Sequence, residues 1–258
     1  MRLNVKRKSN PRRLLFRLLA FAVLIVVWII AYYIVRNEII LPSPLEVFKR
    51  IFDVIGQNGF ASAFVMTLFR TVIAFLIVFA SALILSVLGY IFPWISDLAG
   101  PLVTLARSLP TMAVLLIIII WTNPLKAPVF VAFLALFPVL YSDFSAALAE
   151  IPSGVSEMSE IYGVPFARRL TGFYLPFVYP YVVKSSASAI SFTLKVIVSA
   201  EIMSKTYNSI GGLMQEARVY LEMSSLFALA IIVVITGFIL ESLVLALLLL
   251  RRAENDYT

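Results

Sequence analysis

Several residue types that carry chemistry in proteins are missing from this chain. It contains no His and no Cys, which removes imidazole acid–base catalysis, thiolate nucleophiles, disulfides and the usual zinc ligand sets. No acidic cluster offers a metal site. What remains are charged and hydroxyl side chains set in strongly apolar stretches: Arg70, Arg107, Asp143, Lys184, Lys195, Glu201 and Glu241. A charge in such a stretch is costly unless it faces a partner or a wet cavity. Lys184, Ser188, Ser191 and Lys195 fall at i, i+4, i+7 and i+11, the spacing of a single helix face. A polar stripe with a deep cation fits the wall of a solute path, with Arg107 and Lys195 suited to an anion. It fits equally a helix interface joined by serines, with Lys195 paired to Glu241 or Asp143. A Ser188–Lys195 dyad would be the enzymatic use of the same face. Arg70 and Lys184 lie near span ends and read as snorkelling cations. Asp143 and Glu201 also lie near span ends, where structural pairing competes with a place on the path. Pro110 and Pro138 either kink their helices or bare backbone groups to a path.

The elements that must position these residues are membrane spans. Apolar residues make up 62% of the 258 and charged residues 14%, against about 45–50% and about 25% in soluble domains. With a mean hydropathy of +1.00, the chain has too little polar surface for a soluble fold. The expectation is an all-α polytopic membrane protein, one domain over residues 1–258, with six spans at about 14–36, 64–92, 98–121, 128–149, 175–204 and 226–250. Pro110 is expected to kink the third span. The first is too long for the roughly 7–15-residue core of a signal peptide and reads as retained. The net charge of +7 is not a nucleic-acid signature. Arg2, Lys6, Arg7, Lys8, Arg12 and Arg13 crowd the N-terminus and Arg251 and Arg252 follow the last span, which places both ends in the cytoplasm. The connection at about 37–63 is then outside and carries Ser43-Pro44, a helix start with Ser43 as N-cap. The connection at about 205–223, with Gly211-Gly212, is also outside, and that at about 150–172 inside.

The inner connection runs E-M-S-E-I-Y-G-V-P-F-A-R-R-L-T-G-F-Y-L-P over 157–176. A short helix over 153–162, capped by Ser153 or Ser156 and closed at Gly163, then a turn at Val164-Pro165 and a second short helix, would lie on the membrane face. Taken alone, this is an amphipathic interfacial element as readily as a docking one. The segment resembles the signature of the inner-membrane permease subunits of ABC importers: E-A-A, three residues, Gly, nine residues, an apolar residue, one more, then Leu-Pro. Glu157-Met158-Ser159, Gly163, Phe173 and Leu175-Pro176 keep its spacing, with Met158, Ser159 and Phe173 replacing the usual residues. Ile40-Leu41-Pro42-Ser43-Pro44, Thr104 to Pro110, Ser199-Ala200-Glu201-Ile202 and Gly211-Gly212-Leu213-Met214 are similar to the nitrate/sulfonate/taurine/bicarbonate branch of that family. Trp121-Thr122-Asn123-Pro124 departs from the branch's Trp-Phe-Gly.

The resemblance implies a multi-pass permease of the cell membrane that performs no catalysis. Glu157, Met158, Ser159, Glu160, Tyr162, Gly163, Val164, Phe166, Leu175 and Pro176 would couple it to an ATPase, with Glu157 and Glu160 facing basic groups and Tyr162, Val164 and Phe166 as apolar anchors. Arg107, Pro110, Ser188, Ser191, Lys195 and Glu201 would line the path. The chain lacks a GxxxxGK[ST] phosphate loop, so ATP and Mg would be bound by a partner, and no cofactor or metal by this chain. The implied partners are two ATPase subunits, a second permease copy, an extracytoplasmic solute-binding protein and lipid, with no nucleic acid. The implied solute is a small oxyanion or sulfonate, or a heterocycle such as a thiamine precursor. A secondary transporter or channel is the alternative, against which the lack of an internal repeat counts.

Overall fold

The computed structural model describes residues 11–152, 154 and 161–255. Among them the chain is helical, with no strand: α1 (Pro11–Val35), α2 (Pro44–Gly56), α3 (Phe60–Ile91), α4 (Pro93–Ser108), α5 (Thr111–Trp121), α6 (Ala127–Ala149), α7 (Phe166–Arg169), a π-helical turn (Leu170–Tyr174), α8 (Leu175–Ser204), α9 (Ile210–Val219) and α10 (Met223–Asn255). Local chemistry sets several of the ends. Ser43 Oγ accepts from the Glu46 amide at 3.2 Å with Pro44 in the first turn, as the sequence predicts. Ser209 Oγ accepts from the Gly212 amide at 2.8 Å and starts α9. Lys205 closes α8 in the left-handed region at φ 50°.

Stretches within α1, α3, α6, α8 and α10 are long and apolar enough to cross a bilayer. The third expected span differs from a single kinked helix. It begins at Pro93, breaks at Leu109-Pro110, and its halves α4 and α5 meet at 96°. Pro110 offers no amide to continue α4, and the residue before a proline is pushed out of the helical region. Leu109 accordingly sits at φ −71°, ψ 130°.

The bent pair still makes one crossing. Gly89, near the end of α3, packs on Ser96 of α4, and Tyr90 stacks edge-on with Tyr174 at the loop end of the bundle. Arg107 reaches Ser142 of α6 at 3.2 Å. Leu115 and Ile118 of α5 then cluster with Ala127, Val131 and Ala200 at the opposite end. The pair therefore starts at one face and finishes at the other, which gives six crossings.

The core lies where α3, α4, α6 and α8 meet. Val78, Ala82, Ala132, Leu136, Leu140, Phe144 and Ile197 are almost fully enclosed there. Small residues set the helix spacing: a Cβ on Gly237 of α10 would stand 3.0 Å from Ser191 Oγ of α8. α1 stands at the edge, held through Trp28, whose Nε1 donates to the Pro42 carbonyl at 3.2 Å and whose ring lies 5.8 Å from Phe227. α2 is tied to the start of α10 by Arg50, which reaches Glu222 at 3.0 Å and Ser225 at 2.8 Å. The Ser225 hydroxyl, with Arg50, holds the Glu222 carboxyl below its ordinary pKa despite partial desolvation.

Because the chain is free of cysteine, single cysteines report topology directly. Asn58→Cys and Asn123→Cys should react with a membrane-impermeant maleimide from the same side, and Tyr162→Cys from the other. Labelling of Asn123→Cys from the side opposite Asn58→Cys, with Tyr162→Cys on the side of Asn58→Cys, would make α4–α5 a re-entrant hairpin and the crossings five.

Candidate functional site

Three groups of side chains stand out. The first is a buried knot at the end of the bundle away from the 150–165 connection. Glu201 of α8 is 0% exposed. Arg70 of α3, itself 7% exposed, donates to its Oε1 at 2.9 Å. Thr67 Oγ1 donates to the same carboxylate, 2.9 Å from Oε2, and accepts from the Ile210 amide at 2.9 Å. The Gly211 amide donates to Oε2 at 3.2 Å. One carboxylate thus joins α3, α8 and α9. Gly211 is required for the approach, since a Cβ there would fall 2.3 Å from Glu201 Cβ and 2.7 Å from the Val198 carbonyl.

This knot corrects two expectations. Arg70 does not snorkel: one turn beyond Thr67, it points across to α8 at the depth of an opposite charge. Glu201 does not stand on a path wall, because it is wholly enclosed by its partners. The sequence held the signal in two opposite charges at the same end of their spans, with a glycine pair ten residues after Glu201. What it lacked was which span neighbours which.

The second group is an open polar face. Lys184, Ser188 and Lys195 of α8 are exposed on the single chain, as are Asp143 of α6 and Arg107 and Pro110 of α4–α5. Lys184, Ser188, Asp143, Glu150 and Tyr181 share a groove of about 510 Å³ between α6 and α8. Val139 borders both this groove and a smaller one of about 150 Å³ beside Arg107. Lys195 joins neither ion pair found among the described residues, so the pairing with Asp143 or Glu241 that the interface alternative supposed is not formed on the single chain. Ser191 differs from its three stripe-mates. It is 7% exposed and meets Gly237, a helix contact rather than a wall. Pro138 lies inside α6, and its carbonyl accepts from Ser142 Oγ at 2.8 Å.

The third group is the loop end. Glu157, Met158, Ser159 and Glu160 lie outside the described residues. Tyr162 is 77% exposed. Gly163 takes φ +62° two residues after the helical residue Ile161, the left-handed conformation expected of a residue closing a helix. Val164 is half-buried. Phe166 opens α7, whose first turn is bonded to the Pro165 carbonyl through the Arg168 amide at 2.9 Å. Leu175 and Pro176 begin α8, so the segment that ends the motif is also the foot of the helix that carries the polar stripe.

The architecture is that of a multi-pass α-helical membrane protein with one charge pair enclosed among its helices and its exposed intramembrane charges on an open face of α4, α6 and α8. The chain belongs to the binding-protein-dependent transport system inner membrane components, the permeases of ABC importers: the family model matches residues 83–252. Two curated relatives agree. A putative ABC transporter permease protein of Methanocaldococcus jannaschii, MJ0413, is 21% identical over 240 residues, 91% of this chain and 90% of its own. The taurine transport system permease protein TauC of Escherichia coli K12 is 24% identical over 230 residues, 85% of this chain and 82% of its own. A solved inward-facing structure of the MetNI methionine ABC transporter matches in fold with a TM-score of 0.62 at 18% identity, covering 71% of this chain and 91% of that one.

Cutting one partner from a buried ion pair costs about 3–5 kcal/mol, whereas removing both charges costs far less. Arg70→Met should therefore lower the melting temperature in detergent strongly. Arg70→Met combined with Glu201→Gln, which keeps an acceptor for Thr67 and Gly211, should recover most of the loss. Equal melting of the single and double variants would show that the pair does not hold the bundle.

Proposed function

We propose that the chain, acting as one permease domain over residues 1–258, forms half of the translocation path of an ATP-driven importer. Both ends lie in the cytoplasm, and a second copy completes the path. Two ATPase subunits bind ATP and Mg and dock on the connection around Glu157 to Phe166. An extracytoplasmic binding protein delivers the solute to the opposite face. The carrying observation is the open polar face of α4, α6 and α8: an unpaired Lys195, with Arg107 and Ser188, has no reason to be exposed at bilayer depth unless water or solute meets it. Among the expected path residues, Arg107, Pro110, Ser188 and Lys195 keep that role. Ser191 and Glu201 are assigned to holding the helices.

Energy reaches this face through α8. Closure of the ATPases displaces the docked loop, the loop is continuous with α7 and the π-helical turn, and α8 follows. A rigid-body shift of that helix against α6 exchanges outward for inward access, a two-state change biased by the partner. The cations on the wall suit a small anionic solute, with sulfonate-like solutes first in view of the resemblance to the branch that includes TauC.

The test is reconstitution with the ATPase and the binding protein. Glu157→Lys or Gly163→Pro should leave ATP hydrolysis running while uptake falls to background, and Lys195→Glu should depress uptake of an anion with hydrolysis still stimulated. Unchanged uptake in both loop variants would remove the docking role. Transport by the purified chain alone in liposomes without ATP would remove the importer reading.

A further inference from the structure

α2 carries an apolar ridge left open on the single chain. Leu45, Phe48, Phe52 and Ile55 fall at i, i+3, i+7 and i+10, one face of a helix, and each is 50–65% exposed. The Phe48 and Phe52 rings meet edge-on at 5.4 Å. The other sides of α2 are accounted for. Val47 and Val54 are enclosed by the bundle, Val54 in a cluster with Phe60 of α3 and Leu229 of α10. Glu46, Lys49 and Asp53 share a polar groove of about 510 Å³ with Glu222 and Ser224 at the start of α10.

Level, direction and surroundings identify what covers the ridge. α1 stays apolar to Val35 and turns polar at Arg36-Asn37-Glu38, so the hydrocarbon ends near Val35. The chain then reverses: the Asn37 carbonyl accepts from the Ile40 and Leu41 amides, and Trp28 Nε1 donates to the Pro42 carbonyl. Trp28 lies seven residues before Val35, about 10 Å of helix. The segment that leads into α2 is therefore back inside the leaflet, and it gets there through Ile39 and Ile40, both exposed. α2 then runs across the bundle. Glu46 bonds Ser224, and Arg50, a turn later, bonds Glu222 and Ser225. Two turns of α2 meet one turn of α10, so α2 crosses the end of that upright helix and lies in the membrane plane. It packs on α10, α3 and α1, whereas the open polar face that a second copy would complete belongs to α4, α6 and α8. No residue of Leu18–Val35 in the adjoining α1 is buried, so lipid already surrounds this corner. A soluble partner arriving from water meets the charged arc of α2, not the ridge.

We propose that α2 is an interfacial helix whose Leu45, Phe48, Phe52 and Ile55 ridge is immersed in the lipid leaflet at the end of the bundle away from the 150–165 connection. Lys49, exposed at the edge of the ridge, reaches back to the lipid phosphates, and the charged arc stays in water. Through Glu46 and Arg50 the immersed helix holds the start of α10, and through Pro42 and Trp28 the end of α1, at a fixed height in the bilayer. The immersion depends only on α1 crossing the membrane and holds whether or not the chain serves an importer.

The absence of cysteine lets single nitroxide labels read depth. Leu45→Cys, Phe48→Cys, Phe52→Cys and Ile55→Cys, with Asp53→Cys as the water-facing reference, are labelled in the full chain reconstituted in phosphatidylethanolamine–phosphatidylglycerol vesicles. Power saturation then compares collisions with oxygen and with a water-soluble nickel chelate. The ridge labels should favour oxygen and lie roughly 5–10 Å below the phosphates, while Asp53→Cys favours nickel. Four separate positions keep the result readable if one variant fails to insert. Ridge labels as open to nickel as Asp53→Cys would put the face in water, as the dock of a soluble protein. Ridge labels closed to both reagents would put it against a second copy, and either outcome overturns the immersion.

Discussion

A single buried carboxylate organises the end of this bundle away from the 150–165 connection. Glu201 is fully enclosed, and charge at such a site is tolerable only when nearly every lone pair is used. Arg70 supplies the countercharge, and Thr67 and the Gly211 amide supply the remaining donors. Each requirement fixes a piece of backbone. α3 must run beside α8 with Arg70 at the depth of Glu201, α9 must return over the end of α8, and residue 211 must lack a side chain. The ion pair adds little net stability over an apolar substitute, but it punishes any other arrangement. Its contribution is one of register.

The polar face obeys the opposite rule. Lys184, Lys195, Asp143 and Arg107 are not paired with one another, and they share a surface that is open on the single chain. One protein thus treats intramembrane charge in two ways, neutralised in the knot and left available along α8. The contrast separates groups that hold the fold from groups left free to meet something else, and it falls within a single helix: Lys195 and Glu201 are six residues apart on α8, one exposed and one enclosed.

Much of this was legible in the sequence because membrane spans are set by length and apolarity, which are local properties. The expected fifth span, 175–204, coincides with α8, and the Ser43-Pro44 start of α2 follows from capping chemistry confined to four residues. The third span was not legible to the same degree. A proline predicts a disturbance but not its angle, and 96° depends on α4 packing across α3 and α6 before α5 turns upright. The knot and the fate of Ser191 were hidden for a related reason. Helical spacing says which residues share a face but not which neighbour that face meets, and Ser191 lies at the edge of the stripe, where Gly237 of α10 takes it into a contact.

The break at Leu109-Pro110 has a consequence for the chain as a tenant of the bilayer. α5 has 11 residues, about 16 Å of rise against a hydrocarbon layer of about 30 Å. The last carbonyls of α4 therefore end well inside the membrane, and of these the Leu105 carbonyl is met by Ser108 Oγ at 2.8 Å. Lipid tails offer no donors to the others. A solitary copy surrounded by hydrocarbon would leave them unanswered, whereas a copy that encloses water beside Arg107 would not.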